Sequence, residues 1–461
     1  MTTLSRRQLL KALGGSALLF SAARLVAAAG SSASASAPPP GPAAPRLNVA
    51  LIGAGRQGLI LLESLLKIPG IHVVALCDIW EYSSRTALGR CRAADQEPTA
   101  YTDYRELLDK EKSLHAVIIA TPDFWHERMT VAALQSGLAV YCEKEMAHTL
   151  ESARRMVLSA RETGKLLQIG HQRRSNPYYT HGLHLLHGDR FCGNLTLASG
   201  QWNQLKPLRP LPKRLLERYT IAPEVLAAHG YDSMAHFYEW RWFSALGGGP
   251  ACDLGSHQLD VLNWYVGAPP SRIFATAGNT WARAQALANE VGFVPECDDH
   301  VHMLLGWTLP DGTEVSGNYQ VNLSTSHGGF YETFSGDAGT MVTAEIAEQA
   351  AMFRENTAAA IEWNDLAQKV DIGGKTGIAY DPLASRRAKG QMDAVANQIA
   401  LDLKKPPHQP HLENFFGAVR GEARLNCSAE IGYETAVTVF KAIESARLGR
   451  PIELKPADFI A

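Results

Sequence analysis

Residues 47–58 read LNVALIGAGRQG, and the architecture of the first domain can be inferred from them. An apolar run suited to a buried strand, residues 47–52, leads directly into a G-x-G-x-x-G loop. Residues 59–66 then carry apolar side chains at helical spacing. Glycines between a strand and a helix allow a tight turn and the close approach of a pyrophosphate to the helix N-terminus, so the pattern predicts a Rossmann dinucleotide-binding domain. We expect this loop to contact the cofactor through Gly53, Gly55, Arg56, Gln57 and Gly58.

A carboxylate ends the second predicted strand, which covers residues 71–78. Asp78 stands 20 residues after Gly58 in the chain. An acid at this place accepts hydrogen bonds from the adenosine ribose hydroxyls and repels a 2′-phosphate. The sequence therefore favours NAD over NADP, although Arg56 and Arg85 could approach a phosphate and keep NADP open as an alternative.

Strand-like and helix-like segments continue to alternate as far as residue 170. Apolar strand patterns cover residues 115–120, 139–142 and 166–170, and helical patterns cover 127–136 and 152–163. Such alternation predicts a parallel sheet with right-handed crossovers, and ligands bind at the carboxyl ends of its strands. We therefore place four further cofactor-site residues at those ends: Thr121, His126, Glu143 and Lys144.

The composition is that of an ordinary globular protein and narrows the class of ligand. Of 461 residues, 46% are hydrophobic and 20% are charged, with a formal net charge of −2. That balance argues against a nucleic-acid binder, which needs concentrated positive charge, and against a disordered chain. Seven scattered cysteines without a C-x-x-C motif argue against a disulfide framework and a zinc ribbon.

The N-terminus has the layout of an export signal. Residues 5–11 read SRRQLLK, a short apolar stretch covers residues 12–20, and small residues suited to cleavage follow at 26–29. We interpret residues 1–29 as a twin-arginine signal and residues 30–45 as a Ser/Ala/Pro linker. The alternatives are an amphipathic helix or a membrane anchor, but the apolar stretch is shorter than the roughly 20 residues that span a bilayer.

Export would constrain the chemistry. A protein exported in the folded state by the twin-arginine machinery would reach the periplasm or exterior with its cofactor already bound. A free nicotinamide pool is not expected there, so the enzyme would need a tightly held cofactor and a way to reset it. We predict no stable membrane span after removal of the signal.

Several motifs together resemble the Gfo/Idh/MocA family of sugar and polyol oxidoreductases. They are the Gly53–Gly58 loop, Ala120-Thr121-Pro122 with His126, Glu143-Lys144, the three glycines at 247–249 leading to Asp253 and His257, and the stretch 411–451. The resemblance implies an α/β protein with a Rossmann domain at 46–170. An α+β substrate and oligomerisation domain would follow at 171–461, with a large, mostly antiparallel sheet and closing helices at about 411–448. A homo-oligomer is expected on the same ground.

The resemblance also implies a catalytic group of Lys144, Asp253 and His257. A lysine beside a nicotinamide can stabilise a developing alkoxide, and a histidine can take and return a hydroxyl proton near neutral pH. Asp253 and His257 are four residues apart, which on a helix gives one face. A solvated lysine, a helix-capping aspartate and a buried histidine are the structural alternatives. Glu145 stands where the family has a proline after Glu-Lys.

The substrate contacts are expected at the carboxyl edge of the sheet and in the segment after it. We name Trp125, His171, Arg173, Tyr178 and His257 as those contacts. Residues 296–302, ECDDHVH, are interpreted as strand with outward polar positions, and no metal site is predicted.

Three functions follow in order of preference. The first is an exported NAD-dependent oxidoreductase that moves hydride between a hydroxyl carbon of a sugar, polyol or glycoside and tightly bound nicotinamide. The second is a redox-neutral NAD-dependent glycosidase, working by oxidation, elimination, hydration and re-reduction. The third is a non-catalytic, cofactor-loaded binding protein.

Overall fold

The computed structural model describes residues 45–345, 349–361, 368–372, 375–383 and 402–461, with the single residues 390 and 399. The predicted export signal lies outside these residues, and so does the predicted linker up to residue 44. Within this part of the chain, no helix combines the length and the apolar character needed to cross a bilayer.

The first half of the chain forms the predicted parallel sheet. Its strands are β1 (Leu47–Ile52), β2 (Ile71–Cys77), β3 (Thr99–Tyr101), β4 (Ala116–Ile119), β5 (Ala139–Cys142) and β6 (Leu167–Ile169). The helices between them are α1 (Arg56–Leu65), α2 (Glu81–Arg92), α3 (Tyr104–Lys110), α4 (Asp123–Gln135) and α5 (Leu150–Thr163). The strand order β3-β2-β1-β4-β5-β6 is that of a Rossmann fold and confirms the prediction.

A large second sheet lies in the other half of the chain and confirms the predicted fold class. Its strands are β7 (Leu195–Asn203), β8 (Arg272–Gly278), β9 (His300–Thr308), β10 (Glu314–Asn322), β11 (Phe330–Gly336), β12 (Gly339–Thr343), β13 (Ala351–Arg354), β14 (Lys369–Ile372), β15 (Lys375–Ala379) and β16 (Ile452–Glu453). The order is β14-β15-β13-β12-β11-β7-β10-β9-β8-β16. Strand β7 pairs with β10 in the parallel sense. The other pairings in this sheet are antiparallel.

The second half of the chain also contains helices. They are α6 (Pro177–His187), α7 (Lys213–Tyr219), α8 (Pro223–Ala228), α9 (Met234–Tyr238), α10 (Ser256–Val266), α11 (Thr280–Ala288), α12 (Gln409–Val419) and α13 (Ala429–Leu448). Helix α12 returns to the first sheet, where Leu412, Phe415 and Phe416 are fully buried in one cluster with Leu51 and Ile118. Residues from the end of the chain thus complete the core of the Rossmann domain.

Residues 204–246, which we call the cap, also bridge the two halves. The apolar side chains of α7, α8 and α9 form a cluster with Trp80, which follows β2. Trp80 is 6% exposed, and its indole N–H donates to the Tyr219 carbonyl at 2.6 Å. Burial of such aromatic surface is worth several kcal/mol, so the cap is fixed to the carboxyl edge of the first sheet.

All seven cysteines lie within the described residues, and each carries a buried free thiol. Burial raises their pKa values, for example that of Cys91 to about 11, so they stay protonated and inert near neutral pH. The thiols contribute small apolar side chains to the core.

Candidate active site

The glycine loop has the shape that a dinucleotide requires. Gly53 has φ = +89°, and a Cβ there would lie 2.6 Å from the Ala120 carbonyl carbon. A Cβ on Gly58 would lie 1.9 Å from the Gly53 carbonyl oxygen. At Gly55, by contrast, a Cβ would meet nothing within 4 Å, so this backbone faces open space at the N-terminus of α1. Two glycines allow the turn and the third leaves room for a pyrophosphate, so the loop fits NAD.

Asp78 lies beside this loop, at the end of β2. Its carboxylate accepts the Ala54 N–H at 2.7 Å and the Trp80 N–H at 2.8 Å. Burial raises the pKa of Asp78 to about 6, although the two backbone N–H groups act to lower it. Asp78 therefore organises the loop around it and presents its remaining lone pairs where the ribose is expected.

We expect an Asp78→Asn variant to bind NAD roughly 10–100-fold more weakly, because the amide replaces one acceptor oxygen with a donor. The wild-type affinity should also fall as the pH drops through about 6, since ribose hydroxyls bind the ionised carboxyl better. This pH dependence should be absent in the variant. Titration calorimetry of nucleotide-free protein at several pH values measures both effects. Equal affinities of the two proteins across this pH range would contradict the assignment of Asp78 to the ribose.

Three other predicted cofactor residues are Thr121 and Glu143, which follow β4 and β5, and His126 on α4. The His126 ring nitrogens lie 2.7 Å from the Thr121 carbonyl and 2.8 Å from the Glu145 carbonyl, and the single N–H of the neutral ring donates to one of these oxygens. It is fully buried, and burial lowers its pKa to about 4. His126 is thus a neutral clamp between the two strand ends. Glu143 is 3% exposed and accepts the Tyr141 hydroxyl at 3.3 Å.

The C-terminal part of the chain adds a residue to this loop that the sequence did not indicate. Gln57 Nε2 lies 3.0 Å from His408 Nε2, just before α12. The two residues are 351 positions apart, so sequence spacing gives no signal for their contact. Gln57 is a predicted cofactor residue, and His408 therefore borders the same site.

Lys144 and Asp253 meet between the two halves of the chain. The Lys144 ammonium donates to the Asp253 backbone carbonyl and lies 4.0 Å from its carboxylate Oδ1. The peptide bond between Lys144 and Glu145 is cis. Asp253 sits in a five-residue π-helical turn, Ala251–Gly255, directly before α10. The prediction that one regular α-helix carries both Asp253 and His257 is therefore wrong. The π-helical turn is wider than an α-helical turn, and this changes the angle between the two side chains around the helix axis.

Two cap residues hold the Asp253 carboxylate. Arg241 Nε donates to Oδ1 at 2.9 Å, and Lys206 Nζ donates to Oδ2 at 2.8 Å. Burial acts to raise the pKa of Asp253, but Arg241, Lys206 and Lys144 together hold it well below its usual range. Asp253 thus stays ionised and fixes three cations at one point. The sequence did not identify Lys206 or Arg241, although the segment 204–246 is rich in Arg and aromatic residues.

His257 lies on the first turn of α10, stacked on Trp202 with ring centroids 5.9 Å apart. It is 8% exposed, and its Nδ1 has no hydrogen-bond partner among the described residues. Burial, with help from Lys144 and Arg173, holds its pKa well below the usual range. A neutral imidazole with an unpartnered nitrogen can accept a proton.

Another carboxyl group lies close to this set. Asp123 follows Thr121-Pro122 and is 7% exposed. Burial raises its pKa to about 7, although Lys144 and Arg241 act to lower it. A carboxyl group that titrates near neutral pH inside a cleft is typical of functional sites. In the sequence, the position of Asp123 shortly after the fourth strand was the signal that could have indicated it as a site residue.

Three of the predicted substrate residues make contacts with other protein side chains. Arg173 is 1% exposed and forms ion pairs with Glu332 at 2.6 Å and Glu345 at 3.2 Å, so its charge is already matched. Trp125 is 6% exposed, because it packs against core residues on α4. The Tyr178 ring stacks on Tyr380, with centroids 6.3 Å apart. Direct substrate contact by these three side chains stays a prediction.

Residues 296–299 are irregular and β9 begins at His300, so the strand predicted over residues 296–302 is confirmed only from His300 onward. The Glu296 carboxylate accepts the Ser244 hydroxyl at 2.7 Å, and the Asp299 carboxylate bonds His300 at 2.6 Å. Within the described residues, no three His, Cys, Asp or Glu side chains converge as metal ligands.

Comparison with known proteins agrees with this geometry. The Gfo/Idh/MocA model described as "Oxidoreductase family, NAD-binding Rossmann fold" matches residues 47–171, and the model "GFO/IDH/MocA C-terminal domain" matches residues 224–342. A levoglucosan dehydrogenase structure in complex with NADH and L-sorbose superposes with a TM-score of 0.66 at 18% identity. It covers 90% of this chain and 100% of that one, which shows the shared fold.

Two curated bacterial proteins align with parts of the chain. A glycosyl hydrolase family 109 protein of Stenotrophomonas maltophilia is 37% identical over 112 residues, 23% of this chain and 25% of the relative. An inositol 2-dehydrogenase of Salmonella typhimurium is 33% identical over 135 residues, 29% of this chain and 39% of the relative. The chain thus spans less than half the length of either.

Proposed function

The chain belongs to the Gfo/Idh/MocA oxidoreductase family, and from this we propose that it is an NAD-dependent enzyme that oxidises a carbohydrate hydroxyl. The observation that carries the proposal is that Lys144 contacts Asp253 and lies close enough to His257 to lower its pKa. When bound, NAD would accept the hydride from the carbon that bears the hydroxyl.

Each residue of the group has a defined part. The neutral His257 imidazole takes the hydroxyl proton, and the Lys144 ammonium stabilises the negative charge that develops on the oxygen. Asp253 holds Lys144 in place together with Lys206 and Arg241 of the cap. NAD would be held by the loop of Gly53, Gly55, Arg56, Gln57 and Gly58, by Asp78, and by the ends of β4 and β5.

The substrate class is proposed to be a sugar, polyol or glycoside. Trp202, stacked on His257, offers an aromatic face beside the proton acceptor. Among the relatives, one is named a polyol dehydrogenase and one structure is that of a sugar dehydrogenase. Trp202 borders His257 and is the side chain that we assign to the substrate side, and the guanidinium of Arg173 lies 5.3 Å from the centre of the Trp202 ring.

The cofactor is proposed to be retained rather than exchanged at each turnover. The cap packs on Trp80 and Tyr82 directly after Asp78, and its cluster includes the partly buried Phe124 after β4. Dissociation of a dinucleotide from this edge would require these contacts to loosen. This agrees with the twin-arginine signal that we propose for residues 1–29 and with a periplasmic or otherwise exported location.

A Trp80→Ala variant is expected to lose bound NAD during gel filtration while the wild type retains it. The change removes both the buried indole and its bond to the Tyr219 carbonyl, at a cost of roughly 3–5 kcal/mol to cap packing. Trp80→Phe is the matched control, since it keeps an apolar ring and most of the retention. Nucleotide released by denaturation is quantified for each protein. Full retention by Trp80→Ala would refute the role of the cap.

A redox-neutral NAD-dependent glycosidase is the second candidate. The alignment with a family 109 glycosyl hydrolase, which covers 23% of the chain, favours it. The sugar would be oxidised, lose its leaving group by elimination, add water and be reduced again. The cofactor would then be reset without an external acceptor.

A homo-oligomer is proposed as the assembly. Leu197 on β7 and Leu304 on β9 are 39% and 60% exposed on the second sheet. These two strands lie on either side of β10, and apolar side chains exposed on one sheet suit a contact with a second copy. Light scattering of the purified protein tests this proposal.

The function is tested on protein purified after export, with no nucleotide added. A panel of free sugars, polyols and glycosides is mixed with it, and the absorbance of reduced nicotinamide and the products are followed. Lasting reduction supports the dehydrogenase, whereas glycoside cleavage without lasting reduction supports the second candidate. Neither reduction nor a product from any carbohydrate would contradict the proposed function and favour a cofactor-loaded binding protein.

A further inference from the structure

A second imidazole, His171, stands behind the proton acceptor. Its ring centroid is 6.4 Å from that of His257, and the two planes are nearly perpendicular. His171 follows β6 and is 1% exposed. Both of its ring nitrogens are buried without a hydrogen-bond partner among the residues that the structure describes.

An unpartnered buried imidazole is costly and needs a reason. Leaving a buried polar atom unsatisfied costs about 1–3 kcal/mol, and His171 has two such atoms. The facing Nδ1 of His257 is a third. His126 and His411 are equally buried, yet both have ring nitrogens bonded to main-chain carbonyls. The absence of partners is therefore confined, within this group of buried histidines, to the pair beside the proposed substrate.

His171 also faces a fixed negative charge. Asp260 lies on α10, one turn beyond His257, and is fully buried. Its carboxylate is held by Arg174 Nε at 2.9 Å and by the Thr435 hydroxyl at 2.9 Å. Asp260 acts to raise the pKa of His171, and this attraction would stabilise an imidazolium there. One face of α10 thus presents a proton acceptor and an anion, with His171 interacting with both.

We infer that His171 is a positioning residue that relays the proton between His257 and the Asp260 side of the site. The inference rests on the proposed function. Bound NAD would supply the acceptor for the hydride, His257 would take the hydroxyl proton, and His257 would pass a proton to His171 through a bridging water. The proton returns by the same path when the sugar is reduced. A buried site can therefore complete the cycle without exchanging its proton with bulk solvent.

The resting charge of the pair fits this task. Burial lowers the pKa of His171 to about 4, opposed by Asp260, so both rings are neutral and ready to accept a proton near neutral pH. Arg174, Lys144 and Arg173 disfavour the charged form, which keeps the proton mobile. The titratable and charged groups that face His171 from other elements are His257, Asp260, Lys144, His411 and Cys427.

The relay is tested with His171→Gln and His171→Ala. The glutamine keeps a polar side chain but cannot carry the proton near neutral pH, and the alanine leaves a space that free imidazole can enter. We expect kcat to fall at least about tenfold with little change in KM, a displaced acid limb of the pH–rate profile, and recovery of His171→Ala by added imidazole. His72→Ala, at the opposite end of β2 from Asp78, is the matched control. Unchanged kcat and pH profile, or a loss that imidazole does not restore, would overturn the relay.

A second readout does not depend on activity. With carbon-labelled histidine in the NAD-bound wild type, NMR should show the titration of His257 coupled to that of His171, and His171→Gln should shift it by about one pH unit. An unchanged His257 titration would refute the relay. A coupled titration in a protein that oxidises no carbohydrate would instead support the imidazole pair and contradict the proposed function.

Discussion

A His257→Asn variant is expected to lose carbohydrate oxidation by roughly 10²–10⁴-fold in kcat, because general-base catalysis typically contributes that much. Asparagine keeps a polar side chain next to Trp202 but cannot accept the hydroxyl proton. His257 lies on the first turn of α10, close enough to Lys144 for the ammonium group to lower its pKa. Stopped-flow measurement of nicotinamide reduction in a single turnover isolates the step.

The control for this variant is His302→Asn, which changes an exposed imidazole on the second sheet. Bound NAD should be the same in all three proteins, because His257 lies on α10 and not in the glycine loop. Unchanged single-turnover reduction in His257→Asn would exclude this residue as the proton acceptor.

A Lys144→Met variant is expected to lose a similar factor, about 10²–10³-fold in kcat. Methionine fills the space but removes the cation that stabilises the developing alkoxide. The change also leaves Asp253 with two of its three cations, Lys206 and Arg241, so the carboxylate stays paired and the turn Ala251–Gly255 should keep its conformation.

Lys144→Arg distinguishes charge from geometry, since it keeps the cation on a longer and planar group. We expect partial activity in Lys144→Arg and far less in Lys144→Met, with kcat measured at saturating substrate. A Lys144→Met variant as active as the wild type would contradict the role assigned to the ammonium group. Lys67→Met, at the start of the turn before β2, controls for loss of a surface charge.

The Rossmann half could be predicted nearly completely because its signals are local. The apolar run before Gly53, the helix after it and the acid at Asp78 lie within one short segment, and the strand order follows from the rules for parallel sheets. The second sheet was predictable as a large, mostly antiparallel one, and its strands β9 and β10 alternate buried and more exposed side chains in the way that a sequence can indicate. Its parallel pairing of β7 with β10 was not, because register between distant strands leaves no local pattern.

The site was predictable in its types of residue but less so in its contacts. Lys144, Asp253 and His257 were identified from motifs, and the structure places Lys144 in contact with Asp253 and close enough to His257 to lower its pKa, while their catalytic role stays a prediction. The cap cations Lys206 and Arg241 were missed, since they reach Asp253 across 47 and 12 positions with no shared motif. Arg173 was assigned to the substrate because it lies in the polar segment after the last Rossmann strand, whereas its pairing with Glu332 joins residues 159 positions apart.

The most direct test of the account follows an isotope. The enzyme with its retained NAD is given a substrate sugar that carries deuterium on its ring carbons, and the nucleotide is released by denaturation and analysed by mass spectrometry. The account predicts that reduced nicotinamide gains the deuterium, and that it does so far more slowly in His257→Asn and Lys144→Met. Turnover of the sugar with no deuterium passing through the nucleotide would contradict it.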